Sequence, residues 1–173
     1  DVYKRQVRLT KKSSSGADRL LNIAFRVYDD GIAFRYIFPA QGSDSLVITD
    51  EYSQFAMPSD LTAWWIPGDY DTQEYEYNRS RLSEIRSINE GTDKLGNVSQ
   101  TGFSPTGVQT SLMLKGSDSL YMNIHEAALV DFPAMHLDLD PSTLTFRSWL
   151  TPLPDGTKAV VGLPFRTPWR VVM

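Results

Sequence analysis

The sequence predicts an all-β fold, an antiparallel β-sandwich, and three observations carry the prediction. Apolar residues alternate with polar ones almost throughout, the alternating runs are short, and Gly, Pro and Asp punctuate them. No segment carries the apolar stripe of an amphipathic helix. Successive side chains of a strand point to opposite faces, so alternation is what a half-buried sheet requires.

The elements follow in order. Leu21, Ile23, Phe25 and Val27 alternate with Asn22, Ala24 and Arg26. Asp29-Asp30-Gly31 supplies a turn, and Ile32, Phe34, Tyr36 and Phe38 then alternate with Ala33, Arg35 and Ile37. Two such runs across an Asp-Gly turn predict a hairpin, with the glycine taking the positive φ of a tight turn. Pro39 closes the second strand. Further strands are expected at Ser45–Ile48, Gln54–Met57 and Thr62–Ile66, with Pro58 and Pro67 as stops. Later strands are expected at Gln109–Leu114, Leu120–Glu126, Met135–Leu139, Leu144–Trp149, Lys158–Leu163 and Trp169–Val172. The polar stretch from Asn78 to Gly107 reads as one long surface loop, with a helical turn around Ser80–Ile88.

With 173 residues the chain has room for one domain with a sizeable core. A net charge of −4 and scattered lysines and arginines argue against nucleic acid, which wants a basic face. The absence of cysteine excludes disulfides, thiolate metal sites and a cysteine nucleophile. No stretch approaches the roughly 20 apolar residues of a membrane span. The chain opens on Asp1-Val2-Tyr3-Lys4-Arg5-Gln6 rather than Met and stops at Val171-Val172-Met173, inside an alternating run. Residues 1–6 are therefore expected to be a non-native, adapter-derived segment, and residues 7–173 a domain truncated at both ends.

The most informative strand is Leu120–Glu126. Leu120, Met122 and Ile124 fall on one face, Tyr121, Asn123 and His125 on the other, and the alternation places Glu126 on the apolar side. A carboxylate there must reach solvent at a sheet rim, pair with a cation, or coordinate a metal, because burying it ionised and alone is very costly. His125 reads either as a hydrogen-bonded strand histidine or as a ligand. Trp64-Trp65 is the second feature. Exposed aromatics stack on sugar rings, so Trp65 and His125 stand as substrate-binding candidates; adjacent tryptophans in a strand point to opposite faces, and packing is the competing reading. Asp69-Tyr70-Asp71 and Asp138-Leu139-Asp140 look like carboxylate pairs, but acids beside turns usually serve turn hydrogen bonds. Arg166-Thr167-Pro168-Trp169-Arg170 combines planar donors with an indole, suited to gripping a carboxylate or a partner surface, or simply starts a strand at Pro168. Two histidines and no serine elbow make triad hydrolysis improbable.

Four segments, in order, resemble the N-terminal domain of glycoside hydrolase family 97, the group of bacterial α-glucosidases and α-galactosidases. They are Phe25–Tyr36, Thr62–Pro67, Ile124–Leu129 (with His125-Glu126-Ala127-Ala128) and Thr167–Arg170. The resemblance implies a super-sandwich that packs on a catalytic (β/α)₈ barrel holding the acid and base, so no catalytic residue is expected in this chain. It implies an oligo- or polysaccharide substrate and a periplasmic or extracellular location. It also implies that Glu126 is a metal ligand, lent to an active-site Ca²⁺ whose other ligands come from the barrel. The competing readings are a stand-alone carbohydrate-binding module and a structural sandwich without a sugar role.

Overall fold

The computed structural model describes residues 2–14, 16–91, 100–116 and 120–173. The first strands are β1 (Tyr3–Lys11), β2 (Arg19–Tyr28), β3 (Gly31–Phe38), β4 (Ser45–Ile48), β5 (Gln54–Ala56), β6 (Thr62–Trp65) and β7 (Asn78–Arg81). A 3-10 turn over Leu82–Glu84 and the short helix α1 (Ile85–Glu90) follow. Then come β8 (Gly107–Val108), β9 (Leu112–Lys115), β10 (Tyr121–Ala127), β11 (Met135–Asp140) and β12 (Thr145–Leu150). The last three are β13 (Ala159–Gly162), β14 (Phe165–Arg166) and β15 (Trp169–Val172). Every sheet pairing described is antiparallel. The chain gathers into two units, one of Asp1–Asp50, Glu126–Pro133 and Pro152–Met173, the other of Glu51–His125 and Ala134–Thr151. Among the described residues no helix is long and apolar enough to cross a membrane.

In the first unit β1, β2, β3 and β15 lie side by side, β14 also pairs β3, and β4 pairs β13. The expected hairpin forms with Asn22 opposite Ile37 and Tyr28 opposite Gly31, leaving Asp29-Asp30 as its loop. The role expected of Gly31 is corrected. It does not lie at positive φ. It is glycine because a Cβ there would sit 2.6 Å from the Val172 carbonyl oxygen, where two backbones approach too closely for a side chain. Residues Tyr3–Gln6 form the first part of β1, with Tyr3 opposite Val27 and Lys11 opposite Arg19. Paired residues share a face of an antiparallel sheet. One face of this sheet therefore carries Val7, Leu9, Ile23, Phe25, Phe34 and Tyr36, and the other carries Lys4, Arg26 and Arg35.

The second unit holds two sheets, ordered β10-β9-β6-β7 and β5-β12-β11-β8. Alternation puts Ala63, Trp65, Leu112, Leu114 and Ile124 of the first into the core, and Val108, Leu137, Leu139, Phe146 and Leu150 of the second. Burying each of these large side chains contributes about 1.5–3 kcal/mol, so this layered core is the main source of stability here. The Asn78–Gly107 stretch is more structured than the long loop expected. It begins as β7, paired to β6 from Thr62–Arg81 to Trp65–Asn78, and continues into the 3-10 turn and α1, whose Leu82 and Ile85 are buried. The Glu84 side chain caps the turn by accepting from the Arg81 amide at 2.7 Å. Residues 92–99 of the expected loop lie outside the described residues.

Candidate functional site

Strand β10 delivers Glu126 near its end, and β15 delivers the partner. Nη1 of Arg170 donates to Oε2 of Glu126 at 2.7 Å, with the arginine side chain fully buried and the glutamate side chain only 9% exposed. The Arg170 guanidinium sits 5.9 Å from the Phe132 ring, and Phe132 stacks on Phe165 at 5.8 Å. A charged hydrogen bond inside apolar walls is strong, and losing either partner would strand the other charge. Glu126 thus makes the ion pair that was one of the readings open for it. The chain then turns sharply, with Ala128 and Asp131 at φ of 58° and 50°. Among the described residues no three His, Cys, Asp or Glu side chains gather as a metal-binding group.

His125, the neighbouring residue in the second unit, is half-buried and hydrogen-bonds through Nδ1 to Oδ1 of Asn123 at 2.9 Å. The Ser111 hydroxyl donates to the same oxygen at 2.6 Å. Burial lowers the His125 pKa and favours the neutral ring. The adjacent tryptophans part as a strand requires. Trp65 is completely buried, its indole N–H donating to the Ser80 hydroxyl at 3.0 Å. It has no exposed ring face for a sugar, and the stacking role expected of it does not fit this burial. Trp64, on the opposite face, lies 6.1 Å from the Tyr121 ring with the Arg79 guanidinium 5.4 Å from its centroid.

The family profile described as Glycosyl-hydrolase 97 N-terminal matches residues 2–173. The chain belongs to this family. A retaining alpha-galactosidase of Bacteroides thetaiotaomicron is 28% identical over 138 residues, covering 79% of this chain and 19% of that protein. A probable retaining alpha-galactosidase of Streptomyces bingchenggensis is 38% identical over 64 residues, covering 37% of this chain and 9% of that protein. The chain thus spans about a fifth or less of these relatives. A family 97 glycoside hydrolase from Pseudoalteromonas sp. strain K8, solved with acarbose, superposes with a TM-score of 0.71 at 27% identity, covering 99% of this chain and 27% of that one.

In the acidic pairs of this family 97 domain, Asp69 and Asp140 serve turns, as expected, whereas Asp71 and Asp138 bond hydroxyls about 30 positions away or more. Oδ1 of Asp69 accepts from the Asp71 and Thr72 amides at 2.8 and 3.1 Å, and Oδ2 from the Tyr75 hydroxyl at 2.8 Å. Burial would raise the Asp69 pKa; these hydrogen bonds outweigh it and hold the group below the usual carboxylate value. Burial and then the Asp69 hydrogen bond push the Tyr75 hydroxyl up to about 12. Asp138 accepts from the Ser104 and Thr106 hydroxyls at 2.6 and 2.8 Å, and Asp140 from the Ser142 amide at 2.9 Å. An aromatic stack went unforeseen. The Phe103 ring lies 5.4 Å from Tyr70 and 5.2 Å from Trp149, with His136 edge-on. Phe103 fits because Gly68 and Gly107 flank it: a Cβ on either would come within 2.4 or 2.7 Å of its ring. Those two glycines were the signal available in the sequence.

Proposed function

We propose that the chain is the supporting N-terminal domain of an α-glycosidase acting on oligo- or polysaccharides, and that Glu126 lends one oxygen to a calcium ion completed by a catalytic (β/α)₈ barrel. Membership of family 97 supports the glycosidase reading, as do the names of the relatives, both alpha-galactosidases. The observation that carries the role of Glu126 is its pairing with the buried Arg170, which fixes the orientation of the carboxylate. An ionised carboxylate is a donor that Ca²⁺ takes, but Ca²⁺ requires six to eight oxygens. Glu126 therefore fits a shared ligand, and the described residues do not make a complete site. When bound, such an ion supplies electrostatic and Lewis-acid stabilisation to substrate oxygens. The part of this chain is to hold the Glu126 carboxylate in place through Arg170.

The test is Glu126→Gln in the longer enzyme that carries this domain. Calcium affinity and hydrolytic activity should fall together, each by on the order of tenfold or more. A variant with unchanged calcium dependence would refute the ligand role.

A further inference from the structure

The register of the first unit's sheet gathers cations on the face opposite Arg170. Lys4 pairs with Arg26, Arg35 pairs with Ala24, and Arg166 pairs with Ile37, all of which share that face. Trp169 stands among them. The guanidinium carbons of Arg35 and Arg26 lie 4.3 and 4.5 Å from its ring centroid. A cavity of about 300 Å³ opens here, lined by Lys4, Arg26, Arg35, Arg166 and Trp169 among others, and none of the acidic residues among those described lines it. None of the ion pairs among the described residues involves Arg26, Arg35 or Arg166. Nε of Arg35 is buried with no hydrogen-bond partner.

A chain of net charge −4 has thus placed at least four cations around one cavity without a carboxylate from the described residues among them. Cation–π contact with Trp169 offsets part of the cost of crowding. It leaves the buried N–H at Nε of Arg35 without an acceptor, because the ring accepts only through its face. Burial, then the charges of Arg166 and Arg26, depress the Arg35 pKa, as expected of a cation lacking its counter-ion. Guanidinium forks match the two oxygens of a carboxylate, or of a sulfate edge, and the cavity is at the lower end of the size range of small-ligand sites.

We propose that this cavity is an oxyanion-binding site, taking a carboxylate or sulfate group either as a free anion or as borne by an acidic saccharide. Neutral sugars can accept from the same donors through their hydroxyls but bring no counter-charge, and are expected not to bind there measurably. The site is on the face opposite Arg170 and is independent of the proposed role of Glu126.

Calorimetric titration of the chain at low ionic strength tests this with three probes: sodium sulfate, sodium glucuronate and glucose. Saturable binding of one anion per chain is expected, with none of glucose, and with affinity falling as salt is added. Binding of both anions assigns the site to the oxyanion itself; binding of glucuronate alone assigns it to a saccharide-borne carboxylate. Arg35→Ala should weaken binding about tenfold or more, the loss of one charged hydrogen bond. Arg166 is exposed at the rim, so Arg166→Ala should weaken binding while leaving the circular dichroism spectrum unchanged. Absence of saturable binding by either anion overturns the proposal, as does wild-type affinity in a folded Arg166→Ala and in Arg35→Lys.

Discussion

Arg170 is the residue on which most depends. Its guanidinium is fully buried, and the Glu126 carboxylate is the charged partner that answers it. Desolvating two charges takes back much of what their attraction contributes, so the pair adds orientation more than stability. Removing one partner is another matter. Arg170→Met should destabilise the domain by about 3–5 kcal/mol in urea unfolding, and Glu126→Leu added to it should recover much of the loss. His136 sets a second residue-scale expectation. It is buried, its Nε2 lies 2.8 Å from the Asp69 carbonyl oxygen, and burial lowers its pKa against opposing backbone hydrogen bonds. The unfolded chain then binds a proton near pH 6.5 that the folded chain resists, so the unfolded state gains protons first. Stability should be full above about pH 7 and decline as pH falls through the unfolded-state value near 6.5, and a urea-midpoint profile in His136→Gln should be flatter on that acid side.

At the scale of elements, alternation of apolar residues was a sufficient signal where one face of a strand is buried. It located the β2–β3 hairpin, β6, β11 and β12 close to their observed bounds. It could not locate β7, Asn78-Arg79-Ser80-Arg81, in which only Ser80 is buried. Hydrogen bonding to β6 makes that strand, and an all-polar segment carries no trace of its neighbour. The residues of β1 are all exposed, so burial gave it no pattern to read either. Gly31 shows the same limit in reverse. The sequence displays a glycine at a turn, while the reason for it is the carbonyl of Val172, 141 positions away by the numbering of the chain. Gly31→Ala should therefore cost about 1–3 kcal/mol, and hydrogen exchange should quicken in β3 and β15 rather than at the Asp29-Asp30 loop.

For the whole molecule, the four family-like segments pointed to the fold that the family profile and the solved enzymes share. The site was legible only in part. Glu126 stood out as a carboxylate on an apolar strand face, but its partner lies 44 residues on, and sheet pairing rather than spacing brings it near. The tryptophans divide between the two units in a way that is useful beyond structure. Trp64, Trp65 and Trp149 belong to the second unit, and Trp169 is the single tryptophan of the first. Flanked by two guanidinium groups, that indole sits in a strong local field that any arriving anion must weaken. The variant Trp64→Phe, Trp65→Phe, Trp149→Phe would leave one emitter, whose fluorescence should report anion binding in the cavity and melting of its own unit with no added label.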